Sequence, residues 1–144
     1  MVFATATALV TGAGSGIGRA TALALAAEGA TVLCTDVDEA AAEKTAVECT
    51  AAAGPSGRTP HAAYRLDVSD RAEVDTVAAE VERAHGALDI LVNNAGVGMT
   101  GPYAAMTAEE WTFVRSVNLD GVVNCCSAFA PPRPSPPSSR SPLK

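Results

Sequence analysis

The stretch Thr11-Gly12-Ala13-Gly14-Ser15-Gly16-Ile17-Gly18 decides the fold, because it separates a short apolar run from a helical repeat. Residues 7–10 before it are apolar or β-branched, which is typical of a buried strand. After it, small and apolar residues recur at helical spacing as far as Gly29. Glycines at such a junction let the backbone approach a pyrophosphate, and the helix N-terminus offers unpaired N–H groups. The stretch therefore predicts a dinucleotide-binding turn of the G-x-G-x-x-G type.

The same alternation of strand and helix continues beyond the glycine turn. Further strands are predicted at residues 31–35, 62–66 and 88–92. One helix is predicted to open at Asp36-Val37-Asp38 and stop at Gly54-Pro55, and the next to be capped by Ser69 or Asp70. Strands separated by helices of about ten or more residues pair in parallel, so the sequence predicts an α/β fold with a layered parallel sheet.

A fourth helix is predicted at about residues 108–129, and the composition changes after it. The helical period places six side chains on one apolar stripe, in which Asn118 is the polar member: Trp111, Val114, Asn118, Gly121, Val122 and Cys125. Residues 131–144 hold six of the nine prolines, which excludes a helix interior or a central strand. We therefore predict one domain over residues 1–130 and a disordered Pro/Ser/Arg-rich tail over residues 131–144.

Charge and composition argue against several classes of protein. The formal net charge of −6 disfavours a nucleic-acid partner, since phosphate neutralisation needs clustered Lys and Arg. No apolar run of about 18 residues predicts a membrane span, and no secretory leader is recognisable, so a cytoplasmic protein is expected. The cysteines lack C-x-x-C spacing, so we expect no metal site and reduced thiols packed as small apolar side chains. They are Cys34, Cys49, Cys125 and Cys126.

Asp36 follows the second predicted strand, where the ribose of a dinucleotide would lie. Its carboxylate can accept hydrogen bonds from both ribose hydroxyls, and the same charge would repel a 2′-phosphate. No Arg or Lys stands at Ser15 or Val37 to receive such a phosphate. The sequence therefore favours NAD over NADP as the cofactor. The first predicted binding residues are Gly12, Gly14, Ser15, Gly16, Ile17, Gly18 and Asp36.

Four spaced motifs in this chain resemble those of the short-chain dehydrogenase/reductase family. The family pattern T-G-x-x-x-G-x-G is matched from Thr11 to Gly18. Asp67-Val68 looks like the adenine-contacting pair, Asn93-Asn94-Ala95-Gly96 like the N-N-A-G segment, and Asn118-Leu119-Asp120-Gly121 like the N-x-x-G of the fourth helix. The resemblance covers about residues 5–129, the first half of a family member. It implies a Rossmann-type, doubly wound parallel sheet, here incomplete, with about four strands in the order 3-2-1-4.

The resemblance also implies roles for individual residues. It adds Asp67, Val68, Asn94, Ala95 and Gly96 to the cofactor contacts. It makes Asn118 a catalytic residue that holds a helix distortion and a water in a proton relay. A plain Asx-Gly turn and a buried asparagine satisfied by neighbouring backbone are the structural alternatives. The implied reaction is reversible oxidation of a small-molecule alcohol to a carbonyl compound, and a homo-oligomer is an option.

The acid–base pair of the family, a tyrosine followed four positions later by a lysine, is missing from the 144 residues. Tyr64 and Tyr103 are followed at that spacing by Val68 and Thr107. General acid–base groups contribute about 10²- to 10⁴-fold to rate, so we expect a truncated N-terminal portion that is inactive alone. The alternative is a non-enzymatic nucleotide-binding or interaction protein that uses its proline-rich tail or an exposed sheet edge.

The tail leaves three explanations open. Pro, Arg and Ser are what GC-rich codons yield when read out of phase, which favours a frameshift or truncation at Ala130. Pro131-Pro132-Arg133-Pro134 alternatively offers a P-x-x-P ligand to an SH3-like partner, or the tail is an inert disordered end. In each case the fourth strand would be an exposed apolar edge, so we expect the isolated chain to be marginally stable or self-associating.

Overall fold

A parallel sheet of four strands forms the centre of the structure, a computed structural model that describes residues 1–53 and 61–130. The strands lie in the order β3-β2-β1-β4, which confirms the predicted order 3-2-1-4 and the Rossmann-type α/β fold. Their bounds are Thr7–Thr11 for β1, Thr31–Asp36 for β2, Ala62–Arg65 for β3 and Ile90–Val92 for β4. The predictions made for residues 131–144 lie outside the described residues.

Helices connect the strands and begin at recognisable caps. Their bounds are Gly16–Ala27 for α1, Glu39–Ala53 for α2, Arg71–His85 for α3, Ala108–Arg115 for α4 and Gly121–Phe129 for α5. Asp70 caps α3, because its carboxylate accepts the backbone N–H groups of Ala72 and Glu73, which decides between the two predicted caps. Thr107 and Glu110 form a capping box at the start of α4.

Helices cover both faces of the sheet. Successive strand residues point to opposite faces, so Ala8 and Val10 of β1 pack on one side while Leu9 packs on the other. The first side is closed by small residues of α1 and α2: Ala22, Ala26, Ala42, Ala46 and Cys49. The second side is closed by α3 and α5 through Val74, Val77, Val81 and Cys125. This two-sided burial is what makes the sheet doubly wound.

The two neighbours of β1 pair with it to different extents. β2 pairs over five positions, from Thr7 with Thr31 to Thr11 with Thr35. β4 pairs over three, from Ala8 with Ile90 to Val10 with Val92, and its side chains are only half-buried. Among the described residues β4 is the last strand on its side of the sheet. Self-association through that edge stays a prediction.

The predicted fourth helix is a continuous helical path that contains a wide turn, and the predicted apolar stripe is partly wrong. Gly121 and Cys125 are buried as predicted. Trp111 is 49% exposed and Asn118 is exposed, in disagreement with the prediction. The reason is the π-type turn at Ser116–Asp120, called the π-turn below, because it adds a residue and breaks the regular helical count.

The cysteines follow the prediction at three of four positions. Cys34, Cys49 and Cys125 are buried free thiols, and burial raises the pKa of Cys125 to about 11, so this thiol is neutral at pH 7. Cys126 is exposed, and the side-chain amide of Asn93 donates to its sulfur at 3.3 Å. Within the two described segments no helix is long and apolar enough to cross a bilayer.

Candidate dinucleotide site

Close contacts leave no room for a side chain at three glycines of the turn, Gly12, Gly14 and Gly18. A Cβ on Gly18 would overlap the carbonyl oxygen of Gly12 and lie 2.8 Å from its carbonyl carbon. A Cβ on Gly14 would lie 2.7 Å from the Cβ of Ala41 and 2.9 Å from Oδ2 of Asp36. Gly12 has φ +64, a conformation that favours glycine. The concave surface of the turn, called the glycine cradle below, therefore exists only because these positions lack side chains.

The N-terminus of α1 lies at the end of this turn. Ser15 occupies the N-cap position in an extended conformation, and its side chain makes no capping hydrogen bond. The neighbouring Ile17 is 79% exposed, so the first turn of the helix faces the surface. Uncapped N–H groups and the partial positive charge of the helix end form an anion-binding arrangement. A pyrophosphate fits this cradle, whereas a side chain would fill it.

Asp36 at the end of β2 is tied to the glycine turn. Its Oδ2 accepts the backbone N–H of Gly14 at 2.9 Å, and its Oδ1 accepts the N–H of Asp38 at 3.1 Å. Asp38 is the residue that serves α2 as a cap, since its Oδ1 accepts the N–H of Ala41 at 3.1 Å. Because Asp38 caps α2, Asp36 is not needed as the helix cap. Its carboxylate instead lies beside the glycine turn and orients it through the Gly14 N–H.

Arg19, on the first turns of α1, forms an ion pair with α2. Its Nε and NH2 groups lie 2.7 and 2.6 Å from Oε2 of Glu48 on α2. The pair connects α1 to α2 at a partly exposed position, with the two side chains 43% and 28% exposed.

Asp67 and Val68 form a short loop between β3 and α3. Oδ1 of Asp67 accepts both the backbone N–H and the hydroxyl of Ser69, at 2.9 and 2.6 Å. Val68 is 6% exposed, and its carbonyl accepts the side-chain amide of Asn124 at 3.0 Å. The loop is therefore held by hydrogen bonds within itself and by one hydrogen bond from α5.

Thr11 joins the glycine turn to the segment after β4. Its hydroxyl oxygen accepts the backbone N–H groups of Asn94 and Ala95, each at 3.0 Å. In return Asn94 Nδ2 donates to the carbonyls of Thr11 and Gly12, at 2.9 and 3.2 Å. Thr11 is only 1% exposed. These four bonds hold the predicted residues Asn94 and Ala95 against the turn.

Asn118, in the π-turn, pairs with the backbone of Val97. Its Oδ1 accepts the Val97 N–H at 2.8 Å, and its Nδ2 donates to the Val97 carbonyl at 2.9 Å. A Cβ on Gly96 would lie 3.4 Å from the same Oδ1, a tight approach. The side chain therefore fixes the course of the loop after β4 from an exposed position, and the catalytic role implied for Asn118 stays a prediction.

The predicted site residues lie at one edge of the sheet. Parallel strands end on the same side, so Thr11 after β1, Asp36 after β2, Asp67 after β3 and Asn94 after β4 follow the carboxyl ends of neighbouring strands. Sequence reasoning missed the hydroxyl of Thr11 as a link and missed Asn124 altogether. Asn124 carries no local signal, because its partner Val68 stands 56 residues earlier.

Comparisons with known proteins agree with this arrangement. The family model described as short chain dehydrogenase matches residues 6–135. The probable oxidoreductase EphD of Mycobacterium tuberculosis is 48% identical over 120 residues, which cover 83% of this chain and 19% of that protein. Galactitol 2-dehydrogenase of Agrobacterium fabrum is 43% identical over 114 residues, 79% of this chain and 41% of that protein.

A solved structure is similar over the same region. The crystal structure of a Brucella melitensis protein named ribose-5-phosphate isomerase superposes with a TM-score of 0.78 and 40% identity, covering 89% of this chain and 46% of that one. The chain thus spans between about a fifth and a half of the length of these three proteins. Each of the three names describes its own protein.

Proposed function

Because the chain belongs to the short chain dehydrogenase family, we propose that it binds NAD and forms the cofactor-binding half of an oxidoreductase that interconverts alcohols and carbonyl compounds. The observation that carries the proposal is the glycine cradle with the Asp36 carboxylate bound to its Gly14 N–H at 2.9 Å. Members of the family use nicotinamide cofactors, and the preference for NAD is the finer part of the proposal.

Each part of the dinucleotide has a proposed contact. The pyrophosphate lies on the cradle at the start of α1, over Gly12, Gly14, Ser15, Gly16, Ile17 and Gly18. The carboxylate of Asp36 accepts the hydroxyls of the adenosine ribose and repels a 2′-phosphate. The adenine edge needs one donor and one acceptor, which the Val68 N–H and the Asp67 carboxylate supply. The nicotinamide side follows Asn94, Ala95 and Gly96, where bare backbone permits close approach.

The chemistry divides between the cofactor and the protein. The nicotinamide ring, when bound, supplies hydride transfer to or from the substrate carbon. The residues of this chain bind and orient it, and Asn118 keeps the loop after β4 in place through Val97. A tyrosine and lysine at the family spacing are missing from the 144 residues. We therefore expect this polypeptide to bind NAD without turning over an alcohol, since acid–base groups contribute about 10²- to 10⁴-fold.

Titration of the chain with NAD⁺ and NADP⁺ tests the proposal. We expect NAD⁺ to bind about tenfold or more tightly than NADP⁺, since a carboxylate facing a phosphate costs more than about 1.4 kcal/mol. Asp36→Asn keeps an oxygen for the Gly14 N–H but removes the charge, so it should shrink the preference. Asp38→Ser is the matched control, because serine still caps α2 while the same charge is lost.

Three results would contradict the proposal or a part of it. Failure of the parent chain to bind either dinucleotide would leave the alternative of an interaction protein that uses residues 131–144 or the β4 edge. Equal preference in the parent and in Asp36→Asn would remove the role given to Asp36. Formation of NADH from a panel of alcohols would overturn the expectation that the isolated chain is inactive.

A further inference from the structure

One helical path reaches both loops that the proposed cofactor would contact. At the π-turn, Asn118 pairs with both backbone polar groups of Val97, in the loop after β4. In α5, Asn124 donates its side-chain amide to the carbonyl of Val68, in the loop after β3. The two asparagines stand six positions apart on the same path. The helix therefore connects the two ends of the candidate site physically.

The contact of α5 with Val68 is tight as well as polar. A Cβ on Gly121 would lie 2.6 Å from Cγ2 of Val68 and 3.0 Å from its Cβ. Gly121 is buried, Cys125 one turn later is fully buried, and Val68 is almost inaccessible. Because the helix backbone approaches so closely at Gly121, a movement of α5 would displace Val68 with it.

A single peptide group, Val68–Ser69, lies between the side-chain amide of Asn124 and the carboxylate of Asp67. The carbonyl of Val68 and the N–H of Ser69 belong to the same planar unit, so they cannot turn independently. Asn124 holds the carbonyl at 3.0 Å, and Oδ1 of Asp67 accepts the N–H at 2.9 Å. Asn124 of α5 therefore contributes to the orientation of the Asp67 carboxylate through this peptide, beside the Ser69 hydroxyl that donates to the same oxygen at 2.6 Å.

We propose that Asn124 is a positioning residue of the adenine subsite, which orients Asp67 through the Val68–Ser69 peptide without touching the cofactor. The proposal rests on the proposed binding of NAD. A fixed carboxylate can accept the exocyclic amino group of adenine without first being ordered, so the ordering cost of binding is reduced. The same carboxylate rejects a base that presents an oxygen at that position, so Asn124 contributes to base selectivity.

The experiment compares two dinucleotides that differ only at the base. NAD⁺ and nicotinamide hypoxanthine dinucleotide, in which an oxygen replaces the amino group, are titrated into the parent chain, Asn124→Ala and Asn124→Asp. The aspartate keeps the size of the side chain and removes the donor. Ser127→Ala is the control on the same helix, since this exposed hydroxyl donates only to the Val123 carbonyl of its own helix.

We expect both Asn124 variants to weaken NAD⁺ binding about five- to tenfold, which corresponds to the loss of one neutral hydrogen bond. The hypoxanthine dinucleotide should change by less than about twofold, because a loosened carboxylate repels its oxygen less. The ratio of the two affinities should therefore fall, while Ser127→Ala keeps the parent ratio. Unfolding curves of all variants identify any loss of folded protein.

The outcomes separate this inference from the proposed function. If the parent chain binds no NAD⁺, both are overturned. If the parent binds NAD⁺ and the Asn124 variants keep its affinity ratio, only the positioning role is overturned. Equal weakening of the two dinucleotides also overturns it, because a merely structural role would not distinguish the bases. A variant that fails to fold is replaced by Asn124→Ser, to which the same criterion applies.

Discussion

β1 has a strand neighbour on each side, and the two neighbours are held in different ways. On the β2 side, the paired side chains of both strands are mostly buried, and the glycine turn that follows β1 is packed closely against Asp36 and against Ala41 of α2. On the β4 side, only three positions pair, the strand is half-buried, and the loop beyond it is fastened by side chains. Those side chains are Thr11, Asn94 and Asn118.

The difference shows two means of building one edge of the site. Steric closure tolerates no added atom but needs no particular polar partner, because close-packed atoms have little room to shift. Side-chain hydrogen bonds can hold a loop that follows a short, half-buried strand. Each such bond contributes only about 1 kcal/mol to stability and depends on one residue. We therefore expect substitutions on the two sides to differ in size, and the following experiments measure that difference.

The largest effect is expected for Gly18→Ala on the sterically closed side. The new Cβ would overlap the carbonyl oxygen of Gly12 and lie 2.5 Å from Nδ2 of Asn94, and the Gly12 backbone cannot give way easily. We expect the free energy of unfolding in urea to fall by about 3 kcal/mol, the upper part of the range for overpacking. Gly98→Ala is the control, since nothing lies within 4 Å of that Cβ. Similar unfolding curves for the two variants would refute steric closure.

An intermediate effect is expected for Thr11→Val, on the hydrogen-bonded side. Valine keeps the shape of the buried side chain but leaves the N–H groups of Asn94 and Ala95 without their acceptor. We expect a loss of about 2 kcal/mol in the free energy of unfolding and faster hydrogen exchange at these two amides. Thr35→Val removes one bond, from Oγ1 to the Val10 carbonyl, and should cost about half as much. A larger loss of unfolding free energy in Thr35→Val than in Thr11→Val would contradict the role given to the Thr11 hydroxyl.

The smallest effect is a pH dependence that concerns the start of β2. Nδ1 of His61 accepts the Val32 N–H at 2.9 Å, which only a ring unprotonated at Nδ1 can do. Burial lowers the pKa of His61 below its usual 6.5, and acceptance of the Val32 N–H also favours the unprotonated ring. As the pH falls, the unfolded chain takes up the proton before the folded chain does. The stability that neutral His61 contributes is therefore fully present above pH 6.5 and is lost as the pH falls through the lower pKa of the folded state.

Urea midpoints between pH 7.5 and pH 5 measure this effect. We expect the midpoint to fall below about pH 6.5 in the parent and to fall less in His61→Gln. His85→Gln is the matched control, because it removes the other histidine, whose Nε2 lies 3.0 Å from the Tyr64 hydroxyl. A midpoint that falls equally in the parent and in His61→Gln would show that another group is responsible.

Much of the fold was predictable because the signals are local. The alternation of apolar strands and helical repeats predicted all four strands, and the order 3-2-1-4 implied by the family resemblance is confirmed. The first strand extends one residue further than predicted, to Thr11. The fourth begins later than predicted, at Ile90, and just before it the Asp89 carboxylate accepts the Thr7 N–H at 2.8 Å. Strand ends depend on such side-chain bonds, which periodicity does not reveal.

The site was predictable in its residues more than in its contacts. The glycine motif, Asp36, Asp67 and Asn94 lie at one edge of the sheet, as parallel pairing of their strands requires. The exposure of Asn118 was not predictable, because the π-turn interrupts the count of residues along the helix. The roles assigned to the site residues in binding remain predictions that the titrations test.

By itself, the sequence determined the order of strands and helices and the glycine turn, because periodicity, caps and missing side chains act between residues close in the chain. Only the tertiary structure decided that Thr11 fastens Asn94, that Asn118 pairs with Val97 and that Asn124 holds Val68. These bonds join residues that stand 83, 21 and 56 positions apart. Such partners meet only after the sheet has formed and the helices have packed on it. Hydrophobic periodicity brings the elements together, but it does not specify which polar side chain contacts which carbonyl.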